Sequence, residues 1–158
     1  MDPQHTEEAL RGLGFLIRDV SRLSARNFER HAVELGLTHA QCRALCYVQR
    51  YEGASQARLA ECSDTDPMTL GRVLQRLEAE GYIARRPHPN DGRARCLVLR
   101  PKAQPVLERI WQLADAAQAD ALAGLSTAER TQLVLLLSRL RGNLEAAVCG
   151  LPAGEAAC

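Results

Sequence analysis

Basic side chains are concentrated in one short segment of a chain that is otherwise close to neutral. The 158 residues carry a formal net charge of +1, yet residues 85–102 hold six basic side chains and one acidic one. Arginine suits phosphate and guanine because its planar guanidinium donates two parallel hydrogen bonds to either group. The segment is therefore typical of a surface that binds nucleic acid. Its basic side chains are Arg85, Arg86, Arg93, Arg95, Arg100 and Lys102.

A predicted helix just before this segment carries a second set of polar side chains. Asp66 followed by Pro67 favours a helix start, because Asp accepts hydrogen bonds from free N–H groups and Pro fits the first turn. Apolar residues at helical spacing predict its buried face, which consists of Leu70, Val73, Leu74 and Leu77. The opposite face carries Met68, Thr69, Arg72, Gln75 and Arg76. A helix with such a face fits the major groove of DNA, which is roughly 12 Å wide.

The basic segment itself predicts a β-ribbon. Residues 82–86 and 93–99 have the composition of strands, and the sequence between them includes the turn dipeptide Asp91-Gly92. Short helices followed by a basic ribbon are typical of a winged helix-turn-helix. In that fold one helix enters the major groove, while the ribbon reaches the adjacent backbone or minor groove.

Capping signals place the other two short helices. Thr38 with Gln41 three residues later forms a capping box, which opens a helix predicted to run to about Tyr51. Ser55 is the predicted N-cap of the next helix, which precedes the helix that starts at Asp66. These two helices and the one after Asp66 supply the three helices of the predicted winged helix-turn-helix.

Longer helices are predicted at both ends of the chain. Residues 6–35 form one helix with two apolar stripes, ended by Gly36, so that one stripe packs on its own domain and the other on a second subunit. A fifth helix is predicted over residues 103–122, and Ser126 with Glu129 opens a leucine-rich sixth. One side of the sixth helix carries Leu133, Leu136, Leu137, Leu140, Leu144 and Val148.

Together these elements predict a mainly α fold. We expect a winged helix-turn-helix DNA-binding lobe and a helical dimerisation lobe built from both termini. The DNA-binding domain is predicted over residues 36–102, the helical dimerisation region over residues 6–35 and 103–149, and a flexible tail over residues 150–158.

The sequence does not support several other classes of protein and site. No apolar stretch approaches the roughly 18 residues of a membrane span, and the acidic N-terminus lacks the pattern of a secretory signal. We therefore expect a cytoplasmic protein without a membrane partner. No catalytic motif is present, so neither an enzyme nor catalytic residues are predicted. The six cysteines lack a CxxC pair and predict buried, reduced thiols, so no metal site and no cofactor are expected.

Three motifs in this order and spacing resemble the MarR family of bacterial transcriptional regulators, over about residues 10–148. Residues 36–41, Gly-Leu-Thr-His-Ala-Gln, are similar to the family's entry to its second helix, and residues 69–85 to its recognition helix and exit. Asp91-Gly92-Arg93 matches the family's wing motif. The chain departs from the family at residues 99–103, after the second wing strand, and at Cys42, where the family tends to carry an aromatic residue.

The resemblance implies a set of DNA contacts. Thr69 and Arg72 would meet base edges or phosphates in the major groove, and Arg76 would lie further along the same face. In the wing, Asp91 would hold Arg93, which enters the minor groove. The predicted DNA-binding residues are Ser55, Gln56, Met68, Thr69, Arg72, Gln75, Arg76, Arg86, Asp91, Arg93 and Arg95. The alternative is a solvated helix face, with Arg76 paired to Glu80 four residues on.

The resemblance also implies a homodimer that binds a palindromic operator in double-stranded DNA. Many members are repressors released from DNA by a small aromatic or phenolic carboxylate, bound between the dimer helices and the DNA-binding lobe. The residues expected to face that space are Phe28, His31, His39, Cys42, Arg43 and Trp111. His31 or Arg43 would meet the carboxylate, and Phe28 or Trp111 would pack on the ring. Ordinary interface packing for the aromatic residues and surface exposure for Arg43 are the alternative.

The sequence also allows other functions. Some members of the family respond to oxidants through cysteine, so a thiol-based redox-sensing regulator is the main alternative. Those members often use a cysteine near the start of the first helix, whereas here no cysteine precedes Cys42. A helical interaction module that does not bind DNA is disfavoured by the clustered arginines.

Overall fold

The computed structural model describes residues 10–88 and 91–149, without the side chains of residues 88, 91–94 and 149. In this part the chain forms six longer helices and one two-stranded antiparallel sheet, so the predicted mainly α fold with a small ribbon is confirmed. The elements are α1 (Leu13–His31), a 3-10 turn (Val33–Leu35), α2 (His39–Arg50), α3 (Gln56–Ser63), α4 (Pro67–Ala79), β1 (Ile83–His88), β2 (Asp91–Leu99), α5 (Ala103–Ala121) and α6 (Thr127–Cys149).

The chain divides into two compact units, at Gln118 and Ala119. The core of the first unit is built from α2, α3, α4, the ribbon and α5. Burial of each of its large apolar side chains contributes about 1.5–3 kcal/mol, which makes this cluster the main stabilising element of the unit. The most deeply buried members are Leu45, Val48, Leu59, Leu74, Leu77, Ile83, Leu97 and Leu107. Leu70 is also buried, as predicted, whereas Val73 is half-buried.

The predicted capping residues begin α2 and α3. The Gln41 N–H donates to Thr38 Oγ1 over 3.2 Å, and the Thr38 N–H donates to Gln41 Oε1 over 2.9 Å, which completes the capping box. Ser55 Oγ accepts from the N–H of Arg58 over 3.2 Å. Both capping signals are therefore confirmed. Each joins residues within one turn of helix, which is why the sequence alone could predict it.

The end of the first helix differs from the prediction. α1 ends at His31, and the next four residues form a cap and a 3-10 turn, in which the Leu35 N–H donates to Ala32 O over 3.0 Å. Gly36 follows with φ +65°, so it ends this tighter turn and not the α-helix. The predicted start of the helix, at residues 6–9, lies outside the described residues, as does the predicted tail at 150–158.

Apolar side chains on α1 are exposed within the single chain. Leu16, Val20 and Leu23 are 61%, 55% and 54% exposed, and α1 has no buried residue. Near its C-terminal end, α1 contacts the rest of the first unit. There Phe28 packs on the core and Asn27 Nδ2 donates to Ala117 O over 2.9 Å. Phe28 thus packs on its own domain, as predicted for one stripe, whereas Leu16, Val20 and Leu23 are exposed in the single chain.

The second unit contains the leucine-rich helix α6. Its predicted capping box is present, because the Ser126 N–H donates to Glu129 Oε2 over 2.8 Å and the Glu129 N–H donates to Ser126 Oγ over 3.3 Å. The large apolar side chains of α6 are exposed in the single chain, notably Leu133, Val134, Leu135, Leu136, Leu137, Leu144 and Val148. Within residues 10–88 and 91–149, none of the helices combines the length and apolar character needed to cross a membrane.

A third backbone segment pairs with the two strands of the ribbon, and the sequence did not predict it. Antiparallel pairing joins β1 and β2, with Ile83 opposite Leu99 and Arg86 opposite Cys96. On the other edge of β2, the Gly53 N–H donates to Leu97 O over 2.9 Å, and the Leu97 N–H donates to Ala54 O over 3.0 Å. The base of the ribbon is thus fixed to the loop between α2 and α3.

Candidate nucleic-acid interface

The exposed face of α4 carries every side chain that the sequence placed there. The helix begins with Asp66 as its N-cap, and Asp66 Oδ1 accepts from the Thr69 N–H over 2.8 Å. This hydrogen bond, assisted by the charge of Arg72, holds the pKa of the Asp66 carboxyl below its ordinary value. The leucines of α4 face the core, and the opposite face is exposed to solvent: Met68, Thr69, Arg72, Gln75 and Arg76.

An open groove runs between the first turn of α3 and this face of α4. Its volume is about 450 Å³, and it is lined by Gln56, Pro67, Met68, Gly71, Arg72 and Gln75. Gln56 Nε2 donates to Pro67 O over 3.4 Å, which brings α3 against the N-terminus of α4. Four of the residues predicted to bind DNA therefore lie together along one surface depression.

Arg76 has the partner that the alternative interpretation predicted. Its Nε donates to Glu80 Oε1 over 3.0 Å, while 69% of the Arg76 side chain remains exposed. An exposed pair at this spacing contributes only about 0.3–0.5 kcal/mol. A DNA phosphate can therefore replace Glu80 at little cost.

A half-buried network of hydrogen bonds positions the first strand of the ribbon, and the sequence did not predict it. Arg85 forms an ion pair with Glu78 through Nη1, and its backbone N–H donates to Glu78 Oε1 over 3.2 Å. Arg85 Nη2 also donates to Gln56 Oε1 over 3.2 Å. These contacts join α3, α4 and β1 through residues far apart in sequence, so no local spacing signals them. Gln56, predicted as a phosphate donor, has its carbonyl oxygen engaged here while its amide nitrogen lines the groove.

The remaining predicted DNA contacts lie in the ribbon and at its base. Arg86 and Arg95 are exposed on β1 and β2, and Ser55 lies beside Cys96 at the edge of β2. Asp91 and Arg93 belong to β2. The predicted pairing of their side chains lies outside the described residues and stays a prediction.

A small cavity adjoins α1, α2 and α5 where the family resemblance predicts an effector site, and we call it the effector cavity after that prediction. Its volume is about 130 Å³, and its walls are Phe28, His39, Cys42, Arg43, Cys46, Ile110, Trp111 and Ala114. Five of the six predicted ligand-binding residues are among them, whereas His31 is not. The rings of Phe28 and His39 lie 5.6 Å apart, and Trp111 Nε1 donates to Gln49 Oε1 over 3.1 Å.

A second cavity, which we call the turn cavity, lies between α2 and the first turns of α4. Its volume is about 120 Å³, and it is lined by His39, Ala40, Arg43, Ala44, Tyr47, Ser63, Thr65, Thr69, Leu70 and Val73. His39 and Arg43 line both cavities. The side chains at the start of α2 therefore separate the effector cavity from the N-terminus of α4.

Titratable groups in the effector cavity favour their neutral forms. Burial, followed by the charge of Arg43, lowers the pKa of His39, which favours its uncharged imidazole. Burial raises the pKa of the Cys42 thiol to about 11 and also raises that of Cys46. Arg43 therefore carries the positive charge of this cavity. Among the described residues, Cys42, Cys46, Cys62 and Cys96 are free thiols.

Comparison with known proteins identifies relatives of the whole fold. A family model described as "MarR family" matches residues 35–94. A putative transcriptional regulatory protein for the hcr operon of Thauera aromatica is 35% identical over 129 residues, which are 81% of this chain and 78% of that protein.

Two solved structures carry information about ligands. A cysteine-to-serine mutant of MarR from E. coli, complexed with operator DNA, matches with a TM-score of 0.72 and 26% identity, over 84% of this chain and 95% of that one. BpsR of Bordetella bronchiseptica, described with regulation of its DNA binding by 6-hydroxynicotinic acid, matches with a TM-score of 0.70 and 26% identity, over 81% of this chain and 91% of that one. The chain belongs to the MarR family of transcriptional regulators.

Proposed function

We propose that the protein is a dimeric repressor that binds a palindromic operator and is released from it by a small aromatic carboxylate. One observation carries the proposal. The polar face of α4 is exposed along its whole length and adjoins a basic ribbon, while the opposite face is locked into the core. This arrangement supports a helix that enters the major groove as a rigid unit.

The DNA contacts follow from that geometry. Thr69 and Arg72 occupy the first turns of α4, from which side chains of a recognition helix reach base edges. Arg86 and Arg95, exposed on the ribbon, are proposed to neutralise backbone phosphates. Arg93 is proposed to enter the minor groove. The operator complex of the E. coli relative supports this mode of binding.

The dimer is proposed from apolar surface that the single chain leaves exposed. α1 and α6 each present several large aliphatic side chains to solvent, which is unusual for a soluble monomer. Contact with a second copy would remove this surface from water. Two copies would also place two recognition helices on one duplex, which requires a palindromic site.

The effector cavity supports an aromatic acid as the signal. A volume of about 130 Å³ is below the usual 300–1,000 Å³ of sites for drug-sized ligands, so it suits a single substituted ring. Phe28 and Trp111 supply ring contacts, and Arg43 supplies the charge for a carboxylate. The regulation of BpsR by 6-hydroxynicotinic acid is in line with this class of ligand.

A thiol-based redox regulator is less well supported. Peroxide reacts with the thiolate, and burial raises the pKa values of Cys42 and Cys46. The two thiols nearest the proposed signal site are therefore protonated at neutral pH.

Selection of random duplexes by the purified full chain tests the proposal. We expect an inverted repeat whose half-sites lie about one helical turn apart, with binding that weakens steeply as salt rises. Benzoate or 6-hydroxynicotinate should release the selected duplex, whereas uncharged benzamide should not. Recovery of no enriched sequence would contradict the DNA-binding proposal, and release by benzamide alone would contradict the role of the carboxylate.

A further inference from the structure

Arg43 reaches from α2 to the end of α3. Its Nη2 donates to the backbone oxygen of Ser63 over 3.1 Å, and its guanidinium carbon lies 5.9 Å from the centre of the Tyr47 ring. Ser63 is the last residue of α3, where carbonyl oxygens lack partners within the helix and favour positive charge. Arg43 thus caps α3 from outside, together with Thr65 Oγ1, which donates to the same oxygen over 3.1 Å.

The capped residue begins the turn that leads into α4. Asp64 has φ +46°, a left-handed conformation that costs energy in a residue other than glycine. Two residues later, Asp66 is the N-cap of α4. Contacts that hold Ser63 therefore fix the conformation of this turn and the position of the N-terminus of α4.

Arg43 is also a wall of the effector cavity, so one side chain contacts both this cavity and the end of α3. We propose that Arg43 is a positioning residue that couples this cavity to the turn before α4: it holds Ser63 O in the effector-free state and transfers to the effector carboxylate when the cavity is filled. The inference rests on the proposed function and names its route of regulation. A guanidinium can donate two parallel hydrogen bonds to a carboxylate, which carries a full negative charge, but donates only one here to the neutral Ser63 O, so the transfer is favourable.

Loss of this contact leaves Ser63 O with fewer donors and relaxes the turn. The N-terminus of α4, which carries Thr69, then becomes less rigidly placed for the major groove. An effector can shift this equilibrium only because it binds the released state better, and DNA binding must weaken effector binding by the same factor.

Hydrogen exchange of the backbone amides tests the coupling without DNA. The amide of Thr65 reports on the turn, since it donates to Ala60 O over 3.1 Å. Arg43→Gln should raise its exchange rate by about two- to tenfold, the factor that one hydrogen bond of ordinary net strength supplies. Arg50→Gln is the matched control, because Arg50 lies on the same helix with its guanidinium over Tyr51. Arg43→Lys keeps the charge and one donor, and should restore slow exchange.

Addition of benzoate separates this inference from the proposed function. Trp111, the chain's single tryptophan, lines the effector cavity and reports binding by its fluorescence. We expect benzoate to change the fluorescence of the parent and to raise exchange at Thr65, and to raise exchange no further in Arg43→Gln. A fluorescence change without faster exchange in the parent overturns the coupling and leaves the effector site standing.

Two further outcomes are decisive. If neither benzoate nor 6-hydroxynicotinate changes the fluorescence, the proposed effector class is contradicted, and the Arg43→Gln and Arg50→Gln variants alone decide whether Arg43 holds the turn. Equal exchange at Thr65 in these two variants overturns the inference. Folding of each variant is verified by its urea midpoint, so that a global loss of stability is not mistaken for local release.

Discussion

The carboxylate of Asp66 accepts a hydrogen bond from the backbone N–H of Thr69, 2.8 Å away, and this contact begins the helix that we propose enters the major groove. It satisfies one of the free N–H groups of the first turn and places a negative charge at the positive end of the helix. One ionisable side chain therefore both starts α4 and orients the residue proposed to meet the first base.

Stability should depend on the charge of Asp66. Its pKa is lowered in the folded protein, chiefly by the Thr69 N–H, so the carboxylate stabilises the fold above the unfolded pKa of about 3.9. This contribution is lost as pH falls through the lower, folded pKa. Asp66→Asn keeps a capping oxygen but not the charge. We expect its unfolding free energy, from urea titration, to lie below the parent's by a constant amount from pH 7 to pH 5, and the difference to vanish in stronger acid.

Asp115→Asn, at an exposed carboxylate on α5, is the control. Its difference from the parent in unfolding free energy should not show this dependence on pH. A difference between parent and Asp66→Asn that persists unchanged at the lowest pH would contradict the assignment.

Gly71→Ala should affect the groove proposed to face DNA more than it affects stability. A Cβ atom at residue 71 would lie 3.0 Å from Gln56 Nε2, so the Gln56 side chain must move away. Alanine favours a helix over glycine by about 0.8–1 kcal/mol, and displacement of Gln56 offsets part of that gain. We expect a small change in the urea midpoint together with weaker DNA binding. In a Gln56→Ala background the same substitution should give the full gain, and an identical gain in both backgrounds would show that the two residues are not coupled.

Cys42 should resist thiol reagents. With a pKa of about 11, fewer than about one in a thousand of its thiols are ionised at pH 7.5, and only 2% of its surface is exposed. Mass spectrometry after a short iodoacetamide treatment should find Cys62, which is half-buried, labelled before Cys42. Mild peroxide should leave DNA binding intact. Loss of binding that a thiol reductant reverses, and that a variant with all cysteines replaced by serine does not show, would favour the redox alternative.

A charge on the exposed face of α1 should weaken the dimer. Val20 lies between Leu16 and Leu23 on one exposed stripe, so Val20→Glu would place a carboxylate in the proposed interface. Sedimentation equilibrium should find the parent as a dimer and this variant shifted toward monomer. Val33→Glu, at a valine that is 77% exposed in the 3-10 turn, is the control and should remain dimeric. A parent that sediments as a stable monomer would refute the dimer.

Local signals explain why much of the fold was predictable. The N-caps Thr38, Ser55 and Asp66 each accept a hydrogen bond from a backbone N–H three residues away, so a short stretch of sequence contains both partners. The core leucines of α4 follow from helical spacing alone. By contrast, the predicted end of the first helix was wrong, because residues 33–35 form a 3-10 turn. Apolar spacing does not reveal this turn, since the same side chains suit an α-helix or a 3-10 helix.

Contacts between distant residues explain what the sequence missed. The Arg85 side chain contacts Glu78 and Gln56, 7 and 29 positions away, and nothing in the sequence pairs them. Likewise, the pairing of Ala54 with Leu97 depends on how the loop after α2 meets the ribbon. The predicted cavity residues rested on resemblance to the family. His31 is absent from the cavity wall, and it is the residue at which α1 ends.

The most direct test of the central claim is the binding of Arg72→Ala to the selected duplex and to duplexes changed at single positions, measured by fluorescence anisotropy. Arg109→Ala, at an exposed arginine of α5 that donates to Gln112, is the matched control for loss of one charge. We predict that Arg72→Ala loses about 1–3 kcal/mol of discrimination at one position in each half-site, whereas Arg109→Ala keeps the parent's preference. Equal affinities and equal discrimination for the parent and both variants would contradict the placement of α4 in the major groove.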